Sequence, residues 1–213
     1  MIYSQETARQ TAEHLLKINA IKLSPDEPFT WASGWKSPIY CDNRLVLSYP
    51  QVRNFLAEKL AEQVEKLYGK SITIAGVATG AIGIGMLVAQ KLNTPFIYVR
   101  PEPKKHGRKN QIEGTAEKTV PVVVIEDLIS TGKSSLNAVR AIQEAGHSVS
   151  GMLALFSYGF LLAEENFDKA GVPLHTLSDY HHLLQFAKTQ DAIDDHQLET
   201  LSVWRERPDQ WTP

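Results

Sequence analysis

The chain carries a single cysteine, Cys41, among its 213 residues. That excludes an intrachain disulfide and any multi-cysteine zinc site. With no disulfide to require an oxidising space, the cytoplasm is the expected compartment. Charge of one sign is also lacking: 22 Lys and Arg stand against 24 Asp and Glu, a formal net charge of −2. This argues against an evenly spread basic surface for nucleic acid and leaves room only for a local basic patch. No apolar run approaches the roughly 18 residues of a membrane span. The first residues, MIYSQE, lack the basic flank and apolar core of a signal peptide. Neither nucleic acid nor a membrane is therefore expected as a partner. Internal repeats and low-complexity linkers are absent too. What is present is ordinary: 43% hydrophobic and 22% charged residues, a composition that excludes wholesale disorder. At roughly 150 residues per domain, one domain over residues 1–213 is the expectation.

Ala8, Ala12, Leu15 and Leu16 recur at helical spacing within residues 4–19. A Pro, Ser and aromatic-rich loop follows over 24–38, the kind of segment that carries ligand-binding groups. A second helix is predicted from Pro50 to Gly69, with Val52, Phe55, Leu56, Val64 and Leu67 as its buried stripe. From there strands and helices alternate. Strands are predicted at 71–77, 96–99, 120–125, 149–156 and 172–177, with helices at 81–92, 134–145 and 161–170 and two more beyond. Residues 101–118 read as a polar loop. The unbroken run Val122–Ile125 fits a parallel strand buried on both faces. The alternation predicts an α/β fold: a mostly parallel central sheet flanked by helices. Sites in such sheets lie beyond the carboxyl ends of the strands. That directs attention to Thr79 and Gly80, the 100–114 loop, Glu126 to Ser135, and Ser157 and Tyr158.

The strongest local signal is VVVIEDLISTGKS over residues 122–134. A buried strand ends in two acids, Glu126 and Asp127, and a turn of small and hydroxyl residues enters a helix. Amide groups, hydroxyls and the positive helix end can hold a phosphate there. Gly132 lets the backbone come close. The two carboxylates, on one rim, can accept hydrogen bonds from two vicinal hydroxyls. A phosphate beside a diol describes a ribose 5-phosphate. The tail Gly132-Lys133-Ser134 is similar to the end of a Walker A loop, but Asp127 occupies the place of that loop's first glycine. A solvated acidic pair before a helix cap is the bland reading of Glu126-Asp127 alone. The strand, pair, turn and helix together carry more information.

The second signal is RPEPKKHGRKNQIEG over residues 100–114, in which five of the six residues 104–109 are basic or histidine. Alone it reads as a solvated charge run, a localisation signal or an anion patch. At a strand's carboxyl end it also reads as a cationic lid over a diphosphate. Gly83 and Gly85 begin a dinucleotide-like pattern whose third glycine is replaced by Val88. His181 and His182, adjacent on a predicted surface helix, do not share a face and make a poor metal pair. No protein metal site is expected. Trp204 and Trp211 are read as packing or interface groups.

Residues 122–134 resemble the phosphoribosyl-diphosphate (PRPP) signature of the type I phosphoribosyltransferases. Three further stretches resemble the orotate-specific members of that family: Phe29–Tyr40, Gly76–Gly83, and Arg100, Lys104, His106 and Gly107. The likeness spans roughly residues 20–160. It implies transfer of a phosphoribosyl group from PRPP to orotate, giving orotidine 5-monophosphate and diphosphate in pyrimidine (UMP) synthesis. It implies the type I fold with a small N-terminal hood, residues 1–45, over the base. It implies Mg²⁺, held more by substrate oxygens than by protein, and a homodimer whose loop 101–114 is shared across the interface. By the same resemblance Glu126, Asp127 and Lys104 are catalytic. Arg100, His106, Thr79 and Gly80 bind the diphosphate side, and Leu128, Ile129, Ser130, Thr131, Gly132, Lys133 and Ser134 wrap the 5-phosphate. Lys36, Tyr40 and Cys41 stand with the base, Cys41 as filler.

The chain departs from many relatives at three places. Ala32 replaces a lysine that touches the diphosphate, and Pro101 replaces a second basic residue. Phe156–Phe160 lacks an arginine that binds the orotate carboxylate, so backbone amides, Lys36, Ser130 or Tyr158 must serve. Transfer to another base, or PRPP binding by a regulatory protein, remain the alternative readings of the residues.

Overall fold

Alternate residues of the run Val122–Ile125 face opposite sides of the sheet, and all four are fully buried. Val123 and Ile125 join one core cluster; Val122 and Val124 join the other. This is why the run is apolar throughout rather than alternating. The structure is a computed structural model that describes residues 2, 4–31, 34–102 and 111–213.

The helices are α1 (Gln5–Lys17), α2 (Pro50–Tyr68), α3 (Ile82–Leu92), α4 (Lys133–Glu144), α5 (Leu161–Ala170), α6 (Tyr180–Thr189) and α7 (Asp195–Glu206). The strands are β1 (Ile21–Leu23), β2 (Phe29–Thr30), β3 (Lys36–Ser37), β4 (Ile39–Cys41), β5 (Thr73–Val77), β6 (Phe96–Val99), β7 (Ile112–Glu113), β8 (Val122–Ile129), β9 (Val149–Ser157) and β10 (Leu174–Asp179). Six strands form the central sheet in the order β10-β9-β8-β5-β6-β7, parallel except for β7. The fold is thus α/β with a mostly parallel sheet, as predicted. Helices α4 and α5 cover one face, and α1, α2, α3, α6 and α7 pack into the core of the other.

After β5 the chain first adds β6 on one side, then crosses to place β8 on the other. The strand order therefore reverses between β5 and β8, the place where open α/β sheets keep a crevice for ligands. Two small antiparallel ribbons, β1 with β4 and β2 with β3, stand apart from this sheet. Trp31 closes them by donating its indole N–H to the Ile39 carbonyl at 3.1 Å.

Local signals explain the element ends. Ser4 caps α1 through Thr7 N–H, Pro50 opens α2, and Gly69, at φ +73°, closes it. Four expectations change. Strand β8 runs four residues beyond Ile125, through both acids, because its pairing with β9 continues to Ile129. The 101–118 segment contributes β7, paired with β6. Leu67 is exposed, and the buried face of α2 is carried by Val52, Leu56, Leu60 and Val64. His182 is buried rather than on the surface, bonded to Asp179 at 2.7 Å and to Gln5 of α1 at 2.6 Å. Among the described residues no helix is long and apolar enough to cross a membrane.

Candidate active site

Strand β8 extends through the acidic pair, and the Glu126 and Asp127 carboxyl groups still lie within hydrogen-bonding reach of each other. Glu126 points to the α4 side, where its carboxylate accepts from Ser135 Oγ at 2.8 Å and from the Asp127 N–H at 3.0 Å. Asp127 packs against Gly80: a Cβ built there would collide with its carboxylate. Both acids line one cavity of about 430 Å³ at the β5–β8 crevice, so the two carboxyl groups stand together on one rim. Burial, and then the charge of Asp127, pushes the Glu126 carboxyl well above the usual carboxylate range.

The other walls of this cavity are Thr79 and Gly80 after β5, and Leu128, Ser130, Thr131, Gly132 and Ser134 after the pair. The Ala78–Thr79 peptide bond is cis. Gly132 takes φ +75°, a left-handed conformation suited to glycine, and α4 begins at the next residue. The turn therefore points a helix N-terminus and free hydroxyls at the cavity, a setting for an anion. From behind, Asn166 of α5 donates to the Thr131 carbonyl at 2.9 Å.

A second cavity of about 440 Å³ adjoins the first. Trp31, Tyr40 and Tyr158 supply aromatic walls, and Thr30 lies at its edge. Cys41, Leu128 and Ser130 line both cavities and join them. Among the described residues no charged side chain lines the second cavity, but Lys36 Nζ donates to Thr30 Oγ1 at 2.9 Å. Trp204 braces this wall: it packs against Trp31 and Tyr158, and its indole N–H reaches the Lys36 carbonyl at 3.3 Å. Burial raises the Tyr158 hydroxyl and the Cys41 thiol, so both remain neutral hydrogen-bonding groups.

Several expected residues lie elsewhere. Arg100 follows β6 and pairs with Glu113 at 3.4 Å, outside the residues lining either cavity. Lys133 turns away from the cavity to the outer side of α4. Ile129 is fully buried, and its carbonyl accepts from Tyr158 N–H at 3.0 Å. Lys104, His106 and Ala32 lie outside the described residues. Sequence reasoning missed Asn43, which is buried and donates to the Asp127 carbonyl at 2.6 Å. It named Ser135 at the end of the stretch from Glu126 but gave it no role beneath that acid, and it missed Arg205, whose guanidinium meets the Gly159 carbonyl at 3.3 Å beside Tyr158. No local pattern marks Asn43; only its place after Phe29–Cys41 hints at the site.

Among the described residues no group of three or more His, Cys, Asp or Glu side chains could cage a metal. A hard cation that keeps its waters and substrate phosphates needs only one or two carboxylates, and Asp127 offers one on the cavity wall.

The sequence model of the phosphoribosyl transferase domain family matches residues 48–165. The chain is 51% identical over 203 residues to an orotate phosphoribosyltransferase of Cytophaga hutchinsonii, covering 95% of this chain and 97% of that one. It is 54% identical over 203 residues to the Bacteroides thetaiotaomicron orotate phosphoribosyltransferase, covering 95% and 96%. The solved orotate phosphoribosyltransferase of Aeropyrum pernix superposes with a TM-score of 0.70 at 28% identity, over 82% of this chain and 97% of that one. A polar crevice with two acids and a helix N-terminus, a joined aromatic chamber and similarity over 95% of the chain lead to one assignment: the chain belongs to the orotate phosphoribosyltransferase family.

Proposed function

We propose that this chain transfers the 5-phosphoribosyl group of PRPP to orotate, forming orotidine 5-monophosphate and diphosphate in pyrimidine nucleotide synthesis. The observation that carries this reading is the pair of chambers joined at Cys41, Leu128 and Ser130. The ribose and its phosphates fit the polar one, the flat base fits the aromatic one, and the bond that changes lies at their junction.

The turn from Leu128 through Ser134 holds the 5-phosphate by amides, hydroxyls and the α4 N-terminus. Asp127 and Glu126 take the ribose diol, and the Asp127 carboxylate favours positive charge developing on the sugar. Thr79 and Gly80 receive the diphosphate, and Lys104, His106 and Arg100 stabilise it as it leaves. Arg100 must exchange its Glu113 partner for that role. Asp127 would help hold Mg²⁺ together with substrate oxygens, and the ion would supply neutralisation of diphosphate charge. Orotate is already an anion, so no strong general base is required. Its carboxylate lacks the family arginine, and Lys36, Ser130, Tyr158 and backbone amides surround its place. Tyr40 and Cys41 fill the pocket.

The working unit is a homodimer in which loop 101–114 of one subunit closes over the other's site. The apolar side chains of Leu45, Tyr49 and Met86, each more than a third exposed, offer a surface for a second copy. One domain, with residues 1–45 as helix and hood, and a cytoplasmic location complete the reading. The test is to mix the protein with orotate, PRPP and Mg²⁺ and follow orotate absorbance. Loss of absorbance with matching diphosphate release is expected. Turnover of adenine, guanine or hypoxanthine but not orotate would overturn the assignment.

A further inference from the structure

A third cavity lies behind the phosphate turn, in the groove between α4 and α5, with a volume of about 630 Å³. Lys133 and Arg140 line it from α4, and Lys169 lines it from α5. No acid lines it. Glu165, at its edge, pairs with Lys169 at 3.3 Å through exposed side chains, and Arg140 donates to Asn137. Lys133 has no ion-pair partner among the described residues. The apolar floor is made by Leu136 and Leu162, and Leu162 is left 51% exposed. The groove therefore combines three cations with an uncovered apolar surface.

Its position is the second observation. Thr131 lines both this groove and the polar chamber, so the two share a wall. Asn166, another lining residue, holds the Thr131 carbonyl at 2.9 Å. Phe167 of α5 sits so close to Gly132 that a Cβ there would meet its ring at 2.8 Å. The phosphate turn is thus seated directly on α5. A ligand that changes the spacing of α4 and α5 must act on the turn, through the hydrogen bond and the ring contact.

We propose that the α4–α5 groove is a second ligand site, for a nucleoside polyphosphate, whose occupancy alters the neighbouring 130–134 turn. Lys133 and Arg140 stand seven residues apart on one face of α4, about 10 Å along the helix. That span suits an extended phosphate chain. Charge-assisted bonds from the three cations hold the phosphates, and the base lies on Leu136 and Leu162. Asn166 provides a polar contact at the inner end. The coupling half of the proposal rests on the assignment of the turn to the 5-phosphate of PRPP; the binding half does not.

The test titrates the whole protein by calorimetry, first with PRPP and Mg²⁺, then, once saturated, with ATP or UTP in excess Mg²⁺. A further equivalent of nucleotide per chain is expected. Arg140→Glu combined with Lys169→Glu should weaken it on the order of tenfold or more, leaving PRPP affinity and nucleotide-free turnover unchanged. In steady state the nucleotide should shift the KM for PRPP by about fivefold or more in the wild type and not in the double variant. No second equivalent, or equal affinity in the variant, overturns the site. Inorganic triphosphate binding as tightly overturns the nucleoside part, and binding without a KM shift overturns the coupling. Failure of PRPP itself to bind would instead refute the reading of the polar chamber.

Discussion

Asn43 donates a 2.6 Å hydrogen bond through its side-chain amide to the main-chain carbonyl of Asp127, across 84 residues of sequence. Its own carbonyl oxygen accepts from the Cys41 thiol at 3.2 Å. One buried side chain thus ties the end of the β4 ribbon to the strand that carries the acids. Asn43→Ala removes this tie and leaves the Asp127 carbonyl short of a donor. The expected loss is about 1–2 kcal/mol of stability, a fall in melting temperature of roughly 2–4 °C per kcal/mol. Thermal unfolding checks it, and an unchanged melting temperature would show that the tie contributes nothing.

Gly80 permits the approach of the Asp127 carboxylate, since a Cβ there would collide with it. Gly80→Ala is expected to fold, because the residue adopts no positive φ, and to displace the carboxylate. A misplacement of about 1 Å at a reacting centre can cost on the order of 10²-fold. Steady-state kinetics should show that loss in kcat/KM for PRPP at near-native melting temperature.

Glu126 is held above its ordinary carboxylate pKa by burial and by Asp127. The folded protein therefore keeps a proton that the unfolded chain gives up as pH rises above the ordinary carboxylate range. Wild-type stability falls with pH from there up to the folded pKa. Glu126→Gln lacks this proton exchange. Its melting temperature should gain on the wild type as pH is raised from about 4 to 8, while turnover falls. Melting curves of the two proteins that stay parallel across this range would contradict the assignment.

The shared loop is tested by mixing Lys104→Ala with Asp127→Asn. Each variant alone should lose on the order of 10²-fold in turnover. Refolded together in equal amounts, about half the dimers are mixed. If loops cross, each mixed dimer has one site with both residues intact, so roughly a quarter of wild-type activity returns. If each loop serves its own subunit, no intact site forms. Mass spectrometry of the mixed dimers, alongside the assay, distinguishes this from failure to mix.

Much of the framework is local and could be read from the chain. The apolar run Val122–Ile125 demanded a strand buried on both faces, Pro50 and Gly69 bounded a helix, and Gly132 marked a turn into α4. Each signal acts within a few residues, through steric limits on φ or through side-chain period. The residue types at 126–134 likewise set the expectation of an anion and a diol from local pattern alone. Tertiary structure decided the rest. How far β8 runs depended on β9, whose pairing carries the strand through both acids to Ile129. Arg100 meets Glu113 only because β7 folds back on β6, and Lys133 faces the outer groove because of where α4 starts its first turn. His182 is buried because α1 brings Gln5 to it from 177 residues away. Such contacts join segments that share no local period, so only the packing of the whole chain could bring them together.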